Sequence, residues 1–232
     1  MSDRLSSLRQ QVLEANLELN RRGLTLYTFG NASGISRQDG LVVIKPSGVP
    51  YEAMSAADLV VTDLEGRVVE GKLRPSSDLP THLILYRSFA GIGGVVHTHS
   101  SYATSWAQAG LDLPCFGTTH ADYFHGAVPV TAMLSKEEIE GDYEANTGHA
   151  IVHRFAGLDP LAMTAVLVAG HAPFCWGASA AEAAHTAVIL EEVARTACFT
   201  MALRPGAAPL PQALLDRHFF RKHGSTATYG QR

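Results

Sequence analysis

Cysteine is scarce in this chain. Three occur in 232 residues, Cys115, Cys175 and Cys198, widely spaced and with no Cys-x-x-Cys pair. That excludes a disulfide framework and a cysteine-based metal or redox motif, and it fits a reducing compartment. Basic charge is not in excess either: Lys and Arg number 18 against 22 Asp and Glu, for a formal net charge of −4. Such a balance argues against general nucleic-acid affinity and against an anionic membrane surface as partner. No apolar run approaches the length that crosses a bilayer. The start, Met1-Ser2-Asp3-Arg4-Leu5, is polar and amphipathic rather than a signal peptide. The expectation from these absences is a cytoplasmic protein. Repeats and low-complexity tracts are missing as well, and the length suits one domain, or at most two small ones.

What is present is a pattern of alternating helices and strands. Leu5, Leu8, Val12, Ala15 and Leu19 recur at spacings of three and four, an amphipathic helix closed at Gly23. Strands are predicted over 41–45 and 58–62, and Asp63 to Val69 reads as a hairpin turn with its return strand. Pro80 suits the first turn of a helix reaching Phe89, capped by Ser77 or Asp78. Further helices are predicted from Ser101 to Ala109, after a capping box at Ser135 and Glu138, and from a second box at Ser179 and Glu182 towards Met201. Pro205 to Pro211 is a connector, and a short last helix runs to His223, stopped by Gly224. Because hairpin signals accompany the alternation, the predicted fold is a mixed or largely antiparallel sheet covered by helices on both faces.

The chemistry concentrates in a few segments. Gly93-Gly94-Val95-Val96-His97-Thr98-His99 reads as a buried strand ending in two histidines. Residues i and i+2 of a strand share a face, roughly 6–7 Å apart, so the two imidazoles can converge on one metal ion. His171, after the apolar strand Ala165 to Val168, is a third candidate. Three imidazoles leave a ligand position open, which marks a catalytic centre rather than a structural one. The plainer reading is a satisfied pair of strand-end histidines. Gly30-Asn31-Ala32-Ser33-Gly34 and Lys45-Pro46-Ser47-Gly48 read as small-residue turns, and Pro75-Ser76-Ser77-Asp78 precedes a helix start. Backbone N–H groups and hydroxyls there suit an anion such as a phosphate. Taken singly, Ser-Ser-Asp before Pro is a helix cap and Lys45 a solvated charge. Asp78 can serve as that cap or as a carboxylate fourth to the three imidazoles. Asp122, within Gly117-Thr118-Thr119-His120-Ala121-Asp122-Tyr123, and Tyr229 are able to move protons, although each could also be an ordinary loop or tail residue.

In their order and spacing, these segments, with His218 through Tyr229-Gly230-Gln231, resemble the L-ribulose-5-phosphate 4-epimerases of the class II aldolase/epimerase superfamily, over essentially the whole chain. The resemblance implies a single domain over 1–232, a three-layer α/β/α fold around a predominantly antiparallel sheet, and a homotetramer with active sites between subunits. It implies that Asp78, His97, His99 and His171 hold Zn2+, with Mn2+ or Co2+ as alternatives. Gly30, Asn31, Lys45, Ser47, Gly48, Ser76 and Ser77 would line the substrate and phosphate pocket. Asp122 and Tyr229, drawn from the adjacent subunit, would be the acid/base pair, supported by Thr118, Glu144 and His218. One departure is visible: relatives often carry His-x-His at the third ligand, and Ala169 stands here in place of the first, so altered contacts around His171 are expected.

The implied partner is a small sugar phosphate. The implied reaction interconverts L-ribulose 5-phosphate and D-xylulose 5-phosphate in pentose catabolism. The C4 proton of a 2-ketopentose is not acidic, but the C3–C4 bond can open by retro-aldol cleavage with zinc as Lewis acid. The tethered glycolaldehyde phosphate then rotates and is attacked again. Two rivals stand beside this reading. One is a sugar-phosphate aldolase that releases both fragments; aldolases of the superfamily typically carry Glu where this chain has Asp78. The other is a non-catalytic interaction module, which the retained ligand set argues against.

Overall fold

The computed structural model describes residues 3–223 and 227–228. Seven strands form one sheet: β1 (Asn31–Ser36), β2 (Leu41–Ile44), β3 (Val60–Asp63), β4 (Val68–Glu70), β5 (Gly94–His97), β6 (Ala165–Leu167) and β7 (Pro173–Gly177). Their order is β4-β3-β2-β1-β5-β7-β6, and every pairing within it is antiparallel. Helices α1 (Asp3–Arg21), α7 (Ala180–Leu203) and α3 (Ser101–Ala109) form a layer on one face, and α2 (Leu79–Ser88) with α6 (Tyr143–Arg154) a layer on the other. Shorter helices α4 (Thr118–Ala121) and α5 (Lys136–Glu140) sit in the connections, and α8 (Gln212–Lys222) packs on α4. The architecture is the expected three-layer α/β/α.

Strand alternation assigns each side chain to a layer. Gly34 of β1 pairs with Gly94 of β5, which pairs with Gly177 of β7, so three glycines run in one row across the sheet. A Cβ on Gly34 would stand 2.9 Å from Leu8 and Val12 of α1. One on Gly94 would stand 2.4 Å from the backbone of Ser179 and Ala180, and one on Gly177 would stand 2.7 Å from Glu182. The row therefore exists so that α1 and the start of α7 can lie against bare sheet. Neighbouring positions point the other way: Ser33 bonds His82 and Tyr86 of α2, and Trp176 packs on Phe89 and Phe155. Three residues along the same strands, a second row crosses the sheet: Asn31, His97 and Phe174. Register alone carries the first two from packing to chemistry, because a one-residue slip would turn His97 into the α7 layer.

Most predicted elements stand within a residue or two of their places. Gly23 ends α1 in the left-handed region, φ 69°. The Ser135–Glu138 capping box is complete, though α5 ends after five residues at Gly141 and α6 begins anew. At α7 the box is altered: Ser179 accepts from the Glu182 N–H, while the Glu182 carboxylate receives the N–H of Ala178 instead of that of Ser179. Gly224 lies outside the described residues. One prediction fails outright. Gly30 to Gly34 is not a turn; only Gly30 turns, at φ 77°, and Asn31 onward is the central strand β1. Its residues are small because helix α1 rests directly on them.

Two outcomes are expected. Gly94→Ala, forced against backbone, should cost about 2 kcal/mol or more in denaturant unfolding, whereas Gly117→Ala, with nothing within 4 Å of its Cβ, should change little. Burial pulls the His120 imidazole down to about 4, against a smaller opposing effect of its bond to the Gly126 carbonyl. The unfolded chain therefore takes up that proton first, and stability should fall as pH drops from about 6.5 to about 4, by up to ~1.4 kcal/mol per pH unit. His120→Gln should flatten that slope in urea titrations.

Candidate active site

The carboxyl end of β5 delivers His97 to a cleft of about 410 Å³ between the sheet and the α2–α6 layer. His97 is buried, its ring stacked on Phe174 at 4.2 Å between centroids. Its Nδ1 lies 2.9 Å from the Pro173 carbonyl, which can only accept, so Nδ1 carries the proton and Nε2 offers a lone pair. His99, just past the strand, and His171, on the turn into β7, complete a near-equilateral triangle with ring centroids 4.8, 4.8 and 5.0 Å apart. One ligating nitrogen from each lies within 4.8 Å of the others.

The donor set fits a divalent cation. His97 Nε2 and His99 Nε2 are only 3.0 Å apart, close to the edge of about 3.3 Å expected for nitrogens at about 2.0 Å from a tetrahedral zinc. Burial, with the neighbouring imidazoles, lowers His171 to about 4, and burial lowers His99 as well. Both are thus neutral and ready to ligate near pH 7. Tyr143 of α6 puts its hydroxyl 3.3 Å from His171 Nδ1, which leaves Nε2 as the nitrogen of that ring available to ligate. Ala169 is held through its own N–H on the Thr131 hydroxyl, and the polar neighbour of His171 is this tyrosine.

Asp78 sits at the N-terminus of α2 but its side chain caps nothing. Its Oδ2 instead accepts from Asn31 Nδ2 at 2.6 Å. Burial would raise the Asp78 carboxyl, yet His97, His82, the Asn31 amide and His171 outweigh it and hold it below the usual carboxylate range. Asp78 lines the cleft beside the imidazoles, outside the tight cluster that they form. Asn31 Oδ1 is buried and, among the described residues, has no donor, so it is an acceptor open to a ligand.

All seven residues expected for substrate and phosphate line this cleft: Gly30, Asn31, Lys45, Ser47, Gly48, Ser76 and Ser77; so does Glu144. Lys45 is not a solvated charge. Only 1% exposed, it reaches the carbonyls of Thr28 and Pro46 and the face of Tyr51, and among the described residues no carboxylate pairs with it. Burial lowers its pKa to about 8. Ser76 and Ser77 precede α2, whose N-terminal end carries a partial positive charge that favours an anion. The sequence reading missed Tyr143, Thr28, Phe29 and Phe174, for which no local pattern gives a signal. A larger groove of about 1130 Å³ lies between α1 and the β4 edge, but its Arg9 is already paired with Glu70. Convergent ligands, not volume, single out the smaller cleft.

Three expected residues stand elsewhere. Asp122 follows α4 and meets His218 of α8 at 3.0 Å, and Thr118 opens α4; none of the three lines the histidine cleft of its own chain. Tyr229 lies outside the described residues.

The match to known proteins is extensive. Residues 10–198 match the family model described as the class II aldolase and adducin N-terminal domain. The chain belongs to this family. Its curated relatives include proteins named L-ribulose-5-phosphate 4-epimerase UlaF from Salmonella paratyphi A and Salmonella typhi. Each is 52% identical over 228 residues, covering 98% of this chain and 100% of the relative. Among solved structures, an L-fuculose 1-phosphate aldolase superposes with a TM-score of 0.78 at 27% identity, over 93% of this chain and 96% of that one. A Thermus thermophilus structure named l-fuculose-1-phosphate aldolase shares the fold at 23% identity and a TM-score of 0.66, over 88% of this chain and 100% of its own. Members of the family are generally metal-dependent and act on sugar phosphates, which agrees with a histidine trio beside an anion cradle.

His99→Ala should weaken Zn2+ binding by at least tenfold in a chelator competition, with the exposed His153→Ala unchanged. Affinity should also fall as pH is lowered, because protons compete for the same nitrogens.

Proposed function

We propose that this protein interconverts L-ribulose 5-phosphate and D-xylulose 5-phosphate. The observation that carries the reading is the meeting, in one cleft, of three convergent imidazoles with two seryl turns and a buried lysine that, among the described residues, has no carboxylate partner. The relatives named as 4-epimerases, which match nearly end to end, support the same substrate.

The chain's residues divide the work by position. Lys45, with Ser47, Gly48, Ser76 and Ser77, binds the 5-phosphate; with its pKa near 8 the ammonium is charged at pH 7 and, being desolvated, gains from a dianion. His97, His99 and His171, with Asp78 beside them, would hold a divalent cation, which we assign as zinc and which would supply Lewis-acid polarisation of the ketose. Asn31 holds Asp78 and offers Oδ1 to a substrate hydroxyl. Inverting C4 requires that the C3–C4 bond open, that the C4 hydroxyl lose its proton, and that the resulting aldehyde rotate and be attacked on its other face. The phosphate cradle keeps that fragment from leaving. Asp122 and Tyr229 move the C4 hydroxyl proton, one on each face.

Asp122 lies outside the cleft of its own chain, so this role requires a neighbouring subunit. Leu26, Tyr27 and Phe29, all exposed beside the cleft, form an apolar lip suited to that cover. We infer a homotetramer with sites between subunits, one domain per chain, working in the cytoplasm. Among the described residues no helix is long and apolar enough to cross a membrane.

The structural likeness to an L-fuculose 1-phosphate aldolase favours one second reading, a sugar-phosphate aldolase. Incubation with L-ribulose 5-phosphate separates the two: an epimerase accumulates D-xylulose 5-phosphate, an aldolase releases dihydroxyacetone and glycolaldehyde phosphate. Lys45→Met should raise KM at least tenfold, and Asp122→Asn should lower kcat by about 10²-fold or more. Free dihydroxyacetone as the main product would overturn the epimerase assignment.

A further inference from the structure

Helix α8 turns one face onto a single carboxylate. His218 and Lys222, four residues apart, lie on the same side with Arg221 between them, and all three reach Asp122. His218 Nδ1 stands 3.0 Å from Oδ1 and Lys222 Nζ 3.5 Å from Oδ2. His223 Nε2 donates to the Asp122 backbone carbonyl at 2.9 Å. Arg221 does more than add charge: its Nε donates to Oδ1 at 3.1 Å and its Nη2 to Oδ2 at 2.8 Å. Two bonds from one rigid plane to both oxygens fix the rotation of a carboxylate that a single contact would leave free to swing.

On the other side, Tyr123 carries Lys222 over its ring at 4.4 Å and meets His185 of α7 through its hydroxyl. The Asp122 side chain is largely buried, so each lost partner is felt. Ionised oxygens held in a fixed plane are what a group that must take a proton from one hydroxyl needs, since misaligned acceptors lose rate steeply.

We propose that Arg221 is a positioning residue for Asp122, its guanidinium fork locking the plane in which that carboxylate meets the reacting hydroxyl. The proposal rests on the proton-transfer role given to Asp122 above. Arg221 acts through Asp122 and needs no contact with substrate. An ammonium at 221 would keep the charge and lose the fork.

The test is a double-variant cycle on the full-length, metal-loaded enzyme with L-ribulose 5-phosphate. Wild type, Arg221→Met, Arg221→Lys, Asp122→Asn and the two combined variants are compared for kcat and KM. Expected are a fall in kcat of at least tenfold for Arg221→Met and severalfold for Arg221→Lys, with KM within twofold of wild type. In the Asp122→Asn background either Arg221 change should cost less than twofold more, because the carboxylate it orients is already gone. Losses that multiply in the combined variants would overturn the proposal, as would a rise in KM in place of the fall in kcat. Arg221→Lys at wild-type rate would also overturn it, since charge alone would then suffice. If Arg221→Met fails to fold by far-UV circular dichroism, the Arg221→Lys cycle decides. Wild-type kcat in Asp122→Asn alone would instead remove the role of Asp122 itself, a failure visible before any Arg221 variant is read.

Discussion

The row Gly34–Gly94–Gly177 is the constraint on which the rest of the molecule depends. Side chains there would lift α1 and α7 off the sheet, and the layer they form could not close. Fixing those three glycines in register also fixes the row three residues away, where Asn31 stands opposite His97 and His97 opposite Phe174. Packing on one face of the sheet thereby sets the chemistry on the other. Structural and functional demands share the same hydrogen-bond ladders, which is why a site assembled from segments more than a hundred residues apart can be held tightly.

Within the site, polar groups do different jobs from those their positions suggest. Asp78 stands where a cap stands, yet its carboxylate accepts from the Asn31 amide beside the imidazoles. Lys45 is buried, with its ammonium on the carbonyls of Thr28 and Pro46 and, among the described residues, no carboxylate to pair with. His97 is wedged between Phe174 and the Pro173 carbonyl, which settles its tautomer before any cation arrives. Each arrangement costs desolvation that a buried cation and a phosphate dianion would offset, and that is the signature of a site organised ahead of its ligand.

Much of this was legible in the chain. The two histidines at the end of an apolar run, the seryl turn ahead of Pro80 and the Lys-Pro-Ser-Gly turn all carry local patterns, and all meet in the cleft. β1 escaped because the rule for recognising strands rewards bulky β-branched residues, and Asn31-Ala32-Ser33-Gly34 is small for the sake of a helix that lies on it. β7 escaped because it opens on Pro173, tolerated at the first residue of a strand. Tyr143 and Phe174 carry no signal at all; an aromatic side chain is recruited to an imidazole by proximity, and proximity is not written locally.

By itself the sequence determined the period of its helices, the positions of most turns, the lack of a disulfide framework and of a net basic charge, and the residue types able to bind a metal and an anion. Tertiary structure alone decided which of those residues face one another. It separated Asp122 from the cleft of its own chain and surrounded it with α8, nearly a hundred residues later in the chain. It also turned the Asp78 carboxylate away from the helix end and onto the Asn31 amide. The reason is physical: propensity and capping act over a few residues, whereas burial, charge pairing and ligand convergence depend on distances through space that are set only when the sheet register closes.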